Sequence, residues 1–598
     1  MTNGKSQNPG DGDTGRHAAN LVAGLVVAVV LIPQAMAYSL LAGLPPQVGL
    51  YAGIVPVALY GFLGTSPVVS TGPVALVSLL VAGTLGEVAE AGSPEYVVLA
   101  ASLALGCGAV QLLLGLTRAG FFLNFLSSPV LKGFTSAAAV VIGLSQVKHV
   151  LGVELPRTSR FTELLPALVA ELPETHAPAL ILGTVSIGLL IVFRRILPRY
   201  FRRGAWRESW IFTVERIGPL VVVILGIVTS WLLARAGMDR PAVVGSIPSG
   251  LPHLAVPEIA DVPWGEIWPG ALAITLVGFV QSFAVAKSLA SRRRETVSPN
   301  RELVAQGASN IGAALTGAYP VAGGVSRSIL NDRAGARSGG SSLVTAATMG
   351  LTVLLLTPLF RHLPRAALGA IIVVAVAGLV DIRSYLHTRR YSQAEGLAWI
   401  VTFVAVLTYG LQVGIGVGVG TSLALHIWRT SKPHMPIVGR KPGTEHFRAV
   451  ERHEVHLCPH VVAMRIDESL YFANASQLET RLINAVAERP EVDAVLLICS
   501  SVNFIDTTAL EALQRIALEL RQEGAILYLA EVKGHVLERL ERVGFLEEVG
   551  PDRIFLSAQL AWRALGCEEG EGLIGPGDED RSQDVVSQKD VEIKPRMK

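Results

Sequence analysis

Charge is what this chain has least of. Asp, Glu, Lys and Arg supply 16% of its 598 residues, where soluble proteins carry about 25%, and that deficit excludes an ordinary soluble fold for most of the length. Net charge is nearly absent too, +2 at pH 7, so no basic field argues for a nucleic-acid partner. The four cysteines, Cys107, Cys458, Cys499 and Cys567, are scattered and make neither a disulfide framework nor a CxxC metal pair. Residues 1–17 are polar and glycine-rich, without the apolar centre of a cleavable signal, so the first apolar span is expected to be retained. No nucleophile–base pair, nucleotide loop or strong metal motif names a reaction, so neither an enzyme nor a cofactor is expected.

What fills the space is apolar: 51% of residues are hydrophobic and mean hydropathy is +0.48. Runs of membrane-spanning length recur from about Ala18 to Trp428, after which charge returns to ordinary levels. Candidate spans lie at about 18–41, 47–63, 71–84, 96–117, 129–149, 177–197 and 215–235. A second seven lie at about 266–290, 300–317, 323–333, 340–360, 366–382, 396–410 and 412–429. Basic residues follow the sixth, eighth, tenth, twelfth and fourteenth spans: Arg194 to Arg207, Lys287 to Arg294, Arg333 and Arg337, Arg389 and Arg390, then Arg429 and Lys432. The positive-inside rule puts those exits, and both termini, in the cytoplasm. Glu87, Glu90, Glu95, Glu258, Asp261 and Glu266 fall on the other side, where Arg361 and Arg365 are discordant.

Two segments, 71–84 and 323–333, are too short to cross as single helices, and each is third in its own set of seven. Paired short, glycine-interrupted segments in matching halves point to an inverted-repeat transporter and to its binding site. The second contains Gly323-Gly-Val-Ser-Arg327. An arginine at membrane depth is costly and is normally paired, solvated or functional. Thr71, Gly72, Val74 and Ala75 at one helix start, and Gly323, Gly324, Val325 and Ser326 at the other, present small side chains and reachable backbone N–H groups. Two such starts make an anion site, to which Ser326 adds a hydroxyl and Arg327 a permanent positive charge. The bland alternative for Arg327 is a structural arginine paired locally, for instance with Asp332.

From about 455 to 565 strands and helices alternate. His460–Ile466, Asp493–Cys499 and Ala525–Ala530 read as buried strands. Asp506 or a neighbouring threonine is placed to cap a helix. Thr507 and Thr508 are candidates for regulatory phosphorylation, with a helix cap as the plainer reading. His453, His456, Cys458 and His460 are irregularly spaced and match no zinc pattern. Gly414-Ile-Gly-Val-Gly-Val-Gly420 lies in an apolar span, where close helix packing outweighs a phosphate loop.

Pro33-Gln-Ala-Met-Ala-Tyr38, Pro45-Pro-Gln-Val-Gly-Leu-Tyr-Ala-Gly53, Thr71-Gly-Pro-Val-Ala75, Val277 to Lys287, Asn300 to Asn310 and Gly323 to Arg327 occur in order. With them the chain resembles the sulfate permease (SulP) family of anion transporters, and its end resembles a STAS domain. The resemblance implies a polytopic α-helical membrane protein of 14 segments in a seven-plus-seven inverted repeat, like the nucleobase permeases, followed by a cytoplasmic α/β domain. It implies a core of spans one to four and eight to eleven that moves against a gate. It also places Gln34 and Tyr38 on the site lining and puts Ser326 and Arg327 at the second half-helix. Expected domains are a cytoplasmic tail 1–17, a transport domain 18–430 (repeats about 18–236 and 264–430), a linker 431–454, a STAS domain 455–566 and a disordered acidic tail 567–598.

Gln281, expected among the substrate-binding residues, departs from the family, which often carries an acidic residue there for proton or sodium coupling; a neutral amide does neither. The expectation is therefore a secondary transporter of a small inorganic anion, sulfate-type oxyanion favoured, by uniport or exchange. Chloride/bicarbonate exchange, small-carboxylate exchange and an anion channel stay open. A homodimer in a cell (inner) membrane of bacterial type is expected, and a cytosolic protein partner for the STAS domain stays open. No metal is expected.

Overall fold

The computed structural model describes residues 9–121, 127–156, 158, 160–203, 208–257, 260–567 and 573–574. Arg207, Glu258, residues 1–8 and most of the acidic tail lie outside the described residues. The chain forms two compact units, Met1–Leu423 and Ala424–Lys598.

The first unit opens with α1 (Pro9–Leu41), α2 (Pro46–Tyr51), α3 (Val55–Leu63), β1 (Thr71–Gly72), α4 (Ala75–Leu85), α5 (Pro94–Leu116) and α6 (Ser128–Leu151). Then come α7 (Phe161–Glu171), α8 (Ala177–Ile191), α9 (Leu197–Arg203) and α10 (Glu208–Arg235). The second half runs α11 (Trp264–Arg293), α12 (Pro299–Leu315), β2 (Ala322–Gly323), α13 (Val325–Arg333), α14 (Gly340–Leu355), α15 (Arg365–Val376), α16 (Ile382–Tyr391), α17 (Gln393–Tyr409) and α18 (Leu411–Thr430).

Every expected span contains helix, although the third and tenth open in β1 and β2 and the second is divided between α2 and α3, and eight helical stretches among the described residues are long and apolar enough to cross a bilayer alone. The expected sixth span is longer than its apolar run, because a π-helical turn at Val192–Ile196 joins α8 to α9. Helices α7 and α16 were not foreseen; α16 is short, basic at its end and capped by Asp381, which accepts from Ser384 N at 2.9 Å. Of the glycine run 414–420, only Gly414 and Gly418 make close approaches, to α17 at Val406 and Thr402. Their spacing of four puts both on one helix face.

In the second unit, four parallel strands order as β6 (Val461–Arg465), β7 (Ala494–Ile498), β8 (Ile526–Ala530) and β9 (Ile554–Phe555). Alternation splits their side chains between two layers. Val462, Met464, Val495, Leu497, Leu527 and Leu529 pack under α19 (Ala475–Ala487) and α20 (Thr507–Gln522). Val461, Ala463, Ala494, Leu496 and Ile498 pack against Trp562 of α23 (Ala558–Ala564). Asp506 caps α20, accepting from Ala509 N at 2.8 Å. The helices α21 (Gly534–Arg542) and α22 (Phe545–Val549) complete the layer over Val536 and Phe545.

Three expectations are corrected here. Residues 431–454 are more than a linker: β3 (Val438–Arg440) and β4 (Phe447–Ala449) pair antiparallel and bury Val438, Phe447 and Ala449. Cys458 and Cys567 are not unrelated but form a disulfide across 109 residues, because the sheet brings the lead-in to β6 beside the turn after α23. The segment 567–598 is not disordered from its start. Past that cross-link, β10 (Leu573–Ile574) pairs with β5 (Val455–His456), giving a second sheet ordered β10-β5-β3-β4.

Candidate functional site

The two short helices meet where the sequence places them together. Thr71 faces Gly323 and Gly72 faces Ala322 in an antiparallel pairing of β1 with β2. Gly324 N extends it, donating to Ser70 O at 2.9 Å. From this seam α4 and α13 depart, 11 and 9 residues long, with Val74 and Gly324 as N-caps and no side-chain cap on either. Uncapped first turns leave backbone donors unsatisfied and carry the positive end of each helix dipole.

The seam is held by polar side chains from neighbouring helices. Ser282 of α11 accepts from Gly323 N at 2.6 Å while donating to Gly278 O at 2.6 Å. In α12, Asn310 accepts from Val321 N at 2.7 Å and Gln306 donates to Val321 O at 2.7 Å. Ser328 accepts from Ser70 N at 2.9 Å, and Asn331 donates to Val68 O at 3.1 Å. Ser78 and Tyr319 share a hydrogen bond of 3.0 Å beneath the seam.

Arg327 is 2% exposed. Its Nη1 donates to Gln34 Oε1 at 3.3 Å, while Nε and Nη2 are buried without a partner. The local-pairing alternative fails: Asp332 is held by Arg293 of α11 at 2.7 Å. Among the described residues no carboxylate hydrogen-bonds to Arg327. Burying a guanidinium without a counter-ion is costly, so this arrangement stores an unmet demand for negative charge. Ser70 Oγ and Thr71 Oγ1 are likewise buried without partners beside the seam.

The sequence-derived residues divide as follows. Gln34 and Tyr38 are buried on α1, just past Pro33, which interrupts that helix's hydrogen-bond ladder. Thr71, Gly72, Val74, Ala75, Gly323 and Gly324 are buried in the seam, and Val325 and Ser326 are exposed at the start of α13. Gly323 N and Gly324 N, expected to be free donors, are engaged by Ser282 and Ser70. Gln281 is half-buried, with Oε1 unpartnered. Sequence reasoning missed Ser282, Ser78 and Tyr319; the signal available was a serine four residues after Gly278 and a serine one turn into α4. Glu302 is buried inside the unit, accepting from Tyr60 Oη at 2.7 Å, Thr65 N at 2.8 Å, Ser66 N at 3.1 Å and the Thr65 hydroxyl. In the other unit Thr507 and Thr508 are exposed on the first turn of α20. The histidine cluster does not assemble as spaced: His460 and Cys458 lie with Cys567, without His453 or His456.

The sulfate permease family model matches residues 18–402, and a STAS domain model matches 452–561. The chain belongs to the sulfate permease family. Relatives in it include "Sulfate transporter 4.1, chloroplastic" of Arabidopsis thaliana, 35% identical over 90% of this chain and 78% of its own length. "Probable sulfate transporter Rv1739c" of Mycobacterium tuberculosis is 33% identical over 91% of this chain and 95% of that one. The fold matches that of the murine Slc26a9 anion transporter in the inward-facing state, with a TM-score of 0.83, 24% identity and 92% of both chains covered. This sulfate permease family member is thus a multi-pass membrane transporter of anions with a C-terminal STAS domain, and not an enzyme.

Proposed function

We propose that this protein is a secondary transporter of a small inorganic anion, with a sulfate-type oxyanion as its substrate. The observation that carries the reading is the buried Arg327 guanidinium, with two unpartnered nitrogens, set where two uncapped helix starts meet. A tetrahedral oxyanion leaving water needs several converging donors, and charge-assisted bonds from guanidinium and helix N-termini replace its hydration. Thr71 and Ser326 hydroxyls add neutral donors, Gln34 orients the guanidinium from one side, and Tyr38 closes an apolar wall. The names of the relatives favour sulfate among such anions.

The transport domain (18–430) would work by alternating access, spans one to four and eight to eleven carrying the site past the remaining spans as a gate. With Gln281 in place of a carboxylate and Glu302 fully engaged elsewhere, uniport or exchange is favoured over proton symport. The basic exits after the later even-numbered spans favour cytoplasmic termini, and the protein would sit in the cell (inner) membrane. The STAS domain would serve a homodimer or a cytosolic partner, with Thr507 and Thr508 accessible to phosphorylation. Chloride/bicarbonate or small-carboxylate exchange is the alternative, since helix dipoles read charge and size before identity.

The test is flux of labelled sulfate into proteoliposomes, with bicarbonate, chloride and succinate as competitors. Replacing Arg327 by Ala is expected to raise KM about 10- to 100-fold, the worth of a charged hydrogen bond, in protein that still elutes as a folded species. Unchanged flux in that variant would remove the central claim.

A further inference from the structure

Arg365 breaks the charge pattern that orients the chain, and the fold gives it an occupation. The backbone fixes it: Arg365 N donates to Ala242 O at 2.9 Å, Val244 N donates to Leu363 O at 2.9 Å, and Val243 bridges Pro364. Held there, Arg365 opens α15 and lines a cavity of ≈ 540 Å³ together with Lys148 and His149 from the end of α6. Gly369, one turn further along α15, packs so closely on α6 that a Cβ there would lie 3.0 Å from His149 Cβ. The two cations are therefore set by helix packing and backbone pairing rather than carried on loose loops.

No carboxylate lines this cavity among the described residues; its other polar walls are neutral, among them Gln47, Ser145 and Gln146. The volume is many times the share of one water molecule, about 30 Å³, which is room for an anion that keeps its hydration. The cavity lies past the C-terminal end of α1 and along the second half of α4. Leu79, on its wall, is about 6 Å along the helix from Ala75 at the anion site. Like charges in a concave, low-dielectric setting focus field lines and raise the local concentration of the opposite ion. Cations on the non-cytoplasmic side run against the insertion bias of membrane proteins, so their placement here calls for a use.

We propose that Lys148 and Arg365 form a second anion-binding site, an outer capture site for the transported anion distinct from the seam at Arg327. This deepens the transport reading and rests on it. A hydrated small anion is drawn into the cavity by the two fixed charges, then sheds water as it passes Leu79 toward the helix starts. The site predicts a one-sided kinetic signature, because only anion arriving from the end of α1 meets it.

The experiment uses full-length protein in proteoliposomes sorted by protease access to an N-terminal epitope tag, with sulfate, bicarbonate and chloride each as the probe. Arg365→Gln and Lys148→Gln are expected to raise KM 5- to 10-fold for anion presented to the cavity's face and to flatten its dependence on ionic strength. KM at the opposite face should stay within twofold of the wild type, and Arg365→Lys should behave as wild type. Should Arg365→Gln not fold, Lys148→Gln and the salt dependence of the wild type at the two faces carry the same test. KM unchanged at the cavity's face, or raised equally at both faces, would overturn the proposal. Arg327→Ala with wild-type flux would defeat the seam reading while leaving the Arg365 result standing. No saturable flux of any of the three anions would overturn both.

Discussion

Gly324 lies against the guanidinium it precedes: a Cβ built on it would stand 2.8 Å from Cζ and Nη2 of Arg327. Its φ of −87° is one any residue adopts, so the glycine is needed for space and not for backbone conformation. Gly72, on the partner strand, has φ +143°, and there the space is adequate while the conformation is not. Gly324→Ala should therefore raise KM about 10-fold, the worth of one charged hydrogen bond, with an unchanged melting temperature. Gly72→Ala should lower stability by about 1–3 kcal/mol. Flux kinetics and thermal unfolding in detergent, run on both, separate the two effects.

Glu302 anchors the approach to the seam through four donors from Tyr60, Thr65 and Ser66. A glutamine offers one acceptor oxygen, so Glu302→Gln leaves donors unpaired at about 1–3 kcal/mol each. The variant should melt earlier but retain its flux per folded molecule and its pH profile. A lost pH profile would instead make Glu302 a proton carrier.

Placing a carboxylate at Gln281 should install the pH dependence this chain lacks the group for. Near the anion's path an ionised carboxylate repels substrate, and protonation removes the repulsion. Flux through Gln281→Glu is thus expected to fall below wild type at neutral pH and to recover as pH drops. Initial rates measured across the acid range decide it; a flat profile would place Gln281 away from the path.

The disulfide between Cys458 and Cys567 closes a loop of 109 residues. In the chain-entropy account such a loop contributes up to about 4–5 kcal/mol by restricting the unfolded chain. Dithiothreitol, or Cys458→Ser, should speed hydrogen exchange in β6, β7 and β8 to the same extent, while dithiothreitol added to Cys458→Ser should speed it no further. Exchange insensitive to both treatments would show the cross-link to be without weight.

The half-helices were legible because shortness, glycine and a misplaced arginine are visible in one dimension. So was the α/β end, where the apolar strands and the Asp506 cap agree. Long-range partnerships were not legible. Nothing local in Ser282 says that it accepts from Gly323, 41 residues away, and nothing in Glu302 announces Tyr60, 242 residues earlier. The cysteines failed for the same reason, since spacing alone does not show that a sheet returns the chain to its start. Residues 431–454 looked like a linker because short two- and three-residue strands leave too little periodicity to read.

The pairing of Thr71 with Gly323 ties the two halves of the proposed site together. Helix starts stitched together across a strand seam cannot separate like jaws to release what lies between them; they can only travel as a unit. On the proposed alternating-access reading, the geometry that receives an anion on one side of the membrane is then the geometry that releases it on the other. Such a carrier has no preferred direction of its own, and its cargo flows whichever way the gradients of the anions on the two sides dictate.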